Sequence, residues 1–133
     1  MKQQRIVLLR RHKLLKGTTN EQIRWLAEAL GMFSSRDRES CQFRIFIEIL
    51  KSMRTKKGLS SDELAYRLRI SRGTVIHHLK KLLEAGIIIK EGRIYTLRAY
   101  SLEALANELE RDARNAFEDI REAAKKIDED LKL

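Results

Sequence analysis

Apolar and polar positions change period several times between Leu59 and Leu97, and the changes mark out a compact unit. Leu64, Ala65 and Leu68 share one face of a short helix, and Val75, Leu79, Leu82 and Leu83 share one face of a second. Turning each residue by about 100° places Gly73, His77, Lys80 and Glu84 opposite that second stripe. Thr74 and Lys81 then lie on one flank and Ile76 on the other. The helix ends are signalled as clearly as the faces. Ser60 and Glu63 have the spacing of a capping box, in which each side chain bonds the other residue's amide. The turn Arg69-Ile70-Ser71 follows, Ser71 can cap the second helix, and Gly86 supplies the left-handed residue that ends it. This predicts a helix over 72–85. A hairpin over 87–98 comes next, with strands from Ile87 to Lys90 and from Arg93 to Arg98 joined by Glu91-Gly92.

Upstream, Ile23, Leu26, Ala27 and Leu30 predict a helix from Glu21 to about Leu30, entered through Gly17-Thr18-Thr19-Asn20 and closed by Gly31. Trp25 falls off the centre of that stripe, which suits packing beneath the last helix or a subunit contact. Phe33 to Ser40 reads as a connection with Ser34, Ser35 or Asp37 as a cap. The run CQFRIFIEILKSM then places Phe43, Phe46, Ile47 and Leu50 on one helical face. Its end, Arg54-Thr55-Lys56-Lys57-Gly58, sets cations at the negative pole of the helix. Downstream, Ser101 can cap a final helix whose apolar positions run from Leu102 through Leu105, Leu109, Ala113, Ala116, Ile120, Ala124 and Ile127 to Leu131. Their mean spacing of about 3.6 residues is that of a straight amphipathic helix, with Phe117 beside the stripe. About 30 residues of helix span about 45 Å, more than this core can cover. The stripe is therefore expected to meet a second copy of itself, with Leu102, Leu105, Leu109, Ala113, Ala116, Phe117, Ile120 and Ile127 as the dimer contacts. The alternative is that it folds back on the helix of residues 21–30.

A helix with one buried stripe, one polar face and a bare Arg-Gly-Thr start has the form required for insertion into the DNA major groove. Gly73 lets the backbone approach closely, Arg72, Thr74 and His77 can reach base edges, and Ile76 can touch a thymine methyl. Ser71, Lys80 and Lys81 lie on or beside the same face, and Lys90 and Arg93 flank the hairpin tip, where phosphates or the minor groove would lie. The run SRGTVIHHLKKLLEAGIIIKEGRIYTL resembles the recognition helix and wing of bacterial and archaeal winged-helix regulators, nearest to the ArsR type. The likeness covers Gln42 to Leu97 and rests on the T-V-x-x-H-L core from Thr74 to Leu79 followed by L-x-x-A-G-I. It implies a homodimeric DNA-binding transcription regulator. Metal-sensing members carry paired Cys in the helix before the turn, or His and acidic ligands on the C-terminal helix, and this sequence has neither set.

Charge sharpens this picture. Residues 1–100 carry +13 and residues 101–133 carry −4, together the +9 of the whole chain. A basic body suits a polyanion, and an acidic tail helix suits a different task. Residues 1–16 hold six Lys and Arg and no acid; they fit a docked terminal segment with solvated cations better than an arm on the DNA backbone. One Cys, no Pro and no signal-peptide pattern point to a reducing, cytoplasmic setting beside the nucleoid, and no apolar run could span a membrane. Cys41 is expected to be buried rather than redox-active.

No glycine-rich phosphate loop, Cys cluster or nucleophile elbow occurs. His77 and His78 diverge by about 100° on a helix and cannot clamp one metal as a pair. His78 turns toward the core, where a hydrogen-bonded packing role is expected, and His12 stands alone among cations. No catalytic residue, metal or cofactor is therefore expected. The sequence predicts a mainly α fold with a small β-hairpin wing, a winged helix-turn-helix with a long C-terminal dimerisation helix. Its divisions are a basic N-terminal segment and helix at 1–40, the DNA-binding core at 41–98 and the dimerisation helix at 99–133. The function expected is a homodimer on double-stranded DNA, with no membrane partner. An RNA-binding winged-helix protein or a protein-interaction adaptor is the alternative.

Overall fold

The computed structural model describes residues 3–14, 16–34, 36, 37, 39–55 and 57–133. Ser35 as a cap and Lys56 in the cation run lie outside the described residues. Five helices and three short strands run in the order α1 (Thr19–Ala29), α2 (Cys41–Ser52), β1 (Leu59–Ser60), α3 (Ser61–Leu68), α4 (Arg72–Ala85), β2 (Ile88–Glu91), β3 (Ile94–Leu97) and α5 (Leu102–Leu131). The fold is a winged helix-turn-helix with a long final helix.

The local signals hold where the chemistry of the helix ends is explicit. The Ser60 hydroxyl accepts the Glu63 amide at 3.1 Å and the Glu63 carboxylate accepts the Ser60 amide at 3.1 Å. These bonds hold the Glu63 carboxyl below its ordinary value. Ser71 caps α4 through the Thr74 amide and Ser101 caps α5 through the Ala104 amide. Thr18 and Glu21 form a further capping box at the start of α1, two residues earlier than the apolar periodicity places it. Gly86 ends α4 at φ 78°.

Two boundaries differ from expectation. Glu91 pairs with Ile94, so the hairpin loop is Gly92-Arg93 and not Glu91-Gly92. Gly92 takes φ 61° at the first loop position, the conformation a tight hairpin demands there. The sheet also has a third strand: Leu59 and Ser60 pair with Tyr95 and Ile94, giving the order β1-β3-β2. Two residues are too few to show a period, so β1 was not visible in the sequence.

Of the expected face of Phe43, Phe46, Ile47 and Leu50 in α2, Phe46 is buried and the other three are half-buried; Cys41, Ile45, Ile49 and Ser52 are buried with Phe46. Apolar residues spread over most of this helix, leaving Arg44, Glu48 and Lys51 as its polar side, and periodicity cannot choose the centre of so broad a face. Tertiary packing chooses instead. α2 lies against α3, α4 and β3. Phe43 stays half-buried, its ring 4.9 Å from that of Phe33, over which the Arg24 guanidinium lies at 4.7 Å. Of the proposed caps among the described residues, Asp37 serves α2, accepting the amides of Cys41 at 3.0 Å and Gln42 at 3.2 Å.

A single apolar cluster draws on α1, α2, α3, α4, all three strands and the first turns of α5. Leu105 and Leu109 are buried within it and Leu102 packs against it. The N-terminal segment is docked as a strap. Its Arg5 amide donates to Glu84 at 2.9 Å and its Leu9 amide to Ala29 at 2.8 Å. Trp25, half-buried, donates its indole N–H to the His12 carbonyl at 2.7 Å, so its partner is the strap. Gln4 bonds both the Ala85 carbonyl and Asp112, and Asp112 in turn holds Arg98 after the wing.

The Arg98–Asp112 pair gives the fold a measurable pH dependence. Hydrogen bonds from Arg98 outweigh burial and hold the Asp112 carboxyl below its ordinary 3.8. A carboxyl depressed in the folded state stabilises above its unfolded pKa, and the contribution fades as pH falls through the folded value. Asp112→Asn is expected to lower unfolding free energy by about 1–2 kcal/mol near pH 7. The gap from the wild type should close as urea titrations move below about pH 4; a gap that is constant down to pH 2 would show that the pair contributes nothing through charge.

Candidate nucleic-acid interface

Helix α4 is held on one side and open on the other. Val75, Leu79 and Leu82 are buried, together with His78, while Arg72, Gly73, Ile76, His77, Lys80 and Lys81 are exposed. Thr74 is half-buried, and its hydroxyl is engaged by Ser71 Oγ at 2.8 Å. The outer face is therefore assembled as the helical wheel predicts, with its N-terminus free of any covering element among the described residues.

The wing extends one side of this face. Arg72, Ile76, Lys90, Arg93 and Tyr95 line a concavity of about 270 Å³ between the start of α4 and the hairpin. Lys90 lies opposite Tyr95 in the ladder, with its ammonium 5.6 Å from the ring centre. Arg93, placed in the turn itself, is exposed at the tip. Ile76 therefore looks toward the wing, while Thr74, His77 and Lys81 border a separate cleft on the other flank.

One acidic residue belongs to this surface and was not singled out in the sequence. Asp62, in the first turn of α3, pairs with Arg72 at 3.2 Å across two largely exposed side chains. An acid in a first helical turn is favoured by the helix dipole alone, so its residue type gave no hint of a second role. An exposed pair of this kind contributes little to stability. It does hold the Arg72 guanidinium toward α3 and the wing.

The cleft on the far flank contains a second grouping that spacing did not reveal. Asp37, Cys41 and His78 bring one carboxylate oxygen, the thiol sulfur and one ring nitrogen within 4.8 Å of one another. Burial pushes the Cys41 thiol up, helped by the negative charges of Asp37 and Glu39. Burial likewise pushes His78 down, against the pull of Asp37. For Asp37, burial opposes the charged form, but the two amide hydrogen bonds and His78 outweigh it and hold the carboxyl below its ordinary value. The expected packed, hydrogen-bonded role of His78 is met by Gln42 Oε1, 3.3 Å from its Nδ1.

The surface expected to dimerise divides in two. Leu105 and Leu109 are spent in the core of the same chain, so they are not free for a partner. Phe117, Ile120 and Ile127 are each more than half exposed, Ala116 is exposed and Ala113 is half-buried.

Residues 47–90 match the family model of the bacterial regulatory protein, arsR family. The match starts within α2, takes in α3 and α4 and ends in β2, so the helix-turn-helix of this chain is similar to an ArsR-type domain. Such a domain supports a DNA-binding transcription regulator. No curated protein matches the chain. Among the described residues no helix is long and apolar enough to cross a membrane.

Gly73 separates a structural from a recognition role at this surface. A Cβ added there meets nothing within 4 Å, and the backbone is helical. Gly73→Ala is expected to stabilise the fold by up to about 1 kcal/mol while weakening duplex binding by about 1 kcal/mol or more. Thermal melts and fluorescence anisotropy on the same preparation test this; unchanged affinity would remove Gly73 from the contact surface.

Proposed function

We propose that the chain is a sequence-specific, double-stranded DNA-binding transcription regulator that acts as a homodimer, with α4 in the major groove and the wing over residues 87–98 on the backbone or minor groove. The observation that carries this reading is the uncovered N-terminal face of an ArsR-like second helix, set beside a basic hairpin. Arg72 and His77 are exposed where side chains of an inserted helix meet base edges, with Thr74 at their side. Ser71, Lys80 and Lys81 border them, and Ile76 supplies an apolar contact. Lys90 and Arg93 hold phosphate. The protein works in the cytoplasm, at the nucleoid, and carries out no catalysis.

Dimerisation follows from the free half of the α5 stripe. Phe117, Ile120, Ile127 and Leu131 are exposed on one face of a helix that outruns its own core. A continuous apolar face of this kind marks an interaction surface, and a two-fold axis would place Ala113 and Ala116 where two helices approach closely. Because Leu102, Leu105 and Leu109 are used internally, the contact lies over residues 113–131.

Each half of the reading has its own measurement. Arg72→Ala should cost about 1–3 kcal/mol on a selected duplex and relax choice at one base position. Arg93→Ala should weaken selected and scrambled duplexes alike and reduce the salt slope by about one unit. If Arg93→Ala alone erased the preference, the wing would be the reader; stronger binding to structured RNA than to any duplex would overturn the DNA reading.

Ala116→Glu places a charge in the helix contact and should convert a dimer to a monomer in sedimentation velocity. A wild type that is already monomeric at the highest concentration would end the dimer proposal.

A further inference from the structure

The donor atoms of Asp37, Cys41 and His78 converge from two parts of the chain. Asp37 sits in the connection before α2, Cys41 is the first residue of α2, and His78 comes from the middle of α4. The His78 side chain is only 9% exposed. Its Nδ1 faces Gln42 Oε1 at 3.3 Å. An amide oxygen can only accept, so with the Gln42 amide in this orientation the bond assigns the ring hydrogen to Nδ1 and leaves Nε2 its lone pair. Nε2 lies 3.9 Å from Asp37 Oδ2 and has no hydrogen-bond partner among the described residues.

Three electron-pair donors thus meet in one pocket. A distance of 3.9 Å is too long for a hydrogen bond. Two ligands on one tetrahedral zinc ion, with metal–nitrogen and metal–oxygen bonds of about 2.0–2.2 Å, stand about 3.4 Å apart, so the pair would close by about 0.5 Å around the ion. The supporting shell is also of the kind metal sites use. Gln42 orients the imidazole, and the Cys41 and Gln42 amides orient the carboxylate. Glu39 Oε2 lies 3.8 Å from Cys41 Sγ and offers a further donor on the same side. Entry is provided by the cleft, of about 690 Å³, whose walls include Asp37, Cys41, Gln42, His77 and His78.

We propose that Asp37, Cys41 and His78 form a binding site for a divalent transition-metal ion of the zinc class, with water or Glu39 completing the coordination. Imidazole nitrogen, thiolate and carboxylate are the donor set such an ion takes. The Cys41 thiol gives its proton to solvent as the metal–sulfur bond forms, so two ligand charges neutralise the ion. The site joins the start of α2 to the helix assigned to base reading and holds α4 from behind its outer face. It lies neither in the helix before the turn nor on the C-terminal helix, and it replaces the expectation that the chain holds no metal.

The test uses the full-length, tag-free protein, reduced, freed of metal and without DNA, so its result is independent of the DNA reading. Zn²⁺ titrated against a chromophoric chelator should bind one equivalent per chain and release about one proton at neutral pH. Co²⁺ should give a thiolate charge-transfer band in the near ultraviolet. Asp37→Asn, which keeps the oxygen that caps α2, and Cys41→Ser should each weaken Zn²⁺ at least about tenfold. Cys41→Ser should also abolish the cobalt band, and His12→Gln should change nothing. Thermal melts of the metal-free variants establish that they are folded. No retained equivalent, or unchanged affinity in folded Asp37→Asn and Cys41→Ser, would overturn the proposal.

Discussion

The burial of one face of α4 governs everything else in this molecule. Val75, Leu79 and Leu82 are withdrawn from water into the same apolar cluster as Ile45, Phe46 and Ile49 of α2 and Leu64 of α3. Because that stripe occupies less than half of the helix circumference, the opposite face is left bare by geometry. The wing is positioned by the same cluster, since Ile88, Tyr95 and Leu97 contribute to it. The distance between the outer face of α4 and the hairpin is therefore set by hydrophobic packing, and no polar contact across the basic surface is required to maintain it.

How much of this was legible depended on whether the signal was local. The capping box at Ser60, the cap at Ser71, the left-handed Gly86 and the two faces of α4 were all readable, because each depends on residues within one or two turns. The face of α2 was not readable. Its apolar residues spread over most of the helix, and only contact with α3, α4 and β3 selects Ile45 and Ile49 over Ile47 and Leu50. The two-residue β1 strand exists only through its pairing with β3. Of the candidate surface, the outer residues of α4 could be named from the wheel. The Arg72–Asp62 pair and the approach of Asp37 and Cys41 to His78 could not, since each joins separate elements. The long apolar stripe of α5 was correctly placed on one face, but sequence alone could not show that Leu105 and Leu109 serve the core of their own chain.

Charge follows the same division of labour. The acidic residues of α5 surround a stripe that leaves the core after its first turns, whereas the basic residues cluster on the body. Two such protomers joined along α5 would hold their basic surfaces apart at a spacing set by a rigid rod. Local acids still temper the basic face, as Asp62 does for Arg72.

The strap adds a constraint on which sequences this fold can accept. At Gly86, backbone geometry favours glycine, with asparagine the common second choice in a left-handed cap. Here the space is also taken, since a Cβ would come within 2.4 Å of Gln4 Nε2. Gly92 has a similar φ but nothing within 4 Å. Drift at position 92 can therefore pass through Asn or Asp with only local strain, whereas a change at 86 also requires the Gln4 side chain to swing aside from the Ala85 carbonyl and Asp112. The two glycines share a torsion angle, but their evolutionary freedom differs, and the residues around Gln4 should vary in concert with position 86.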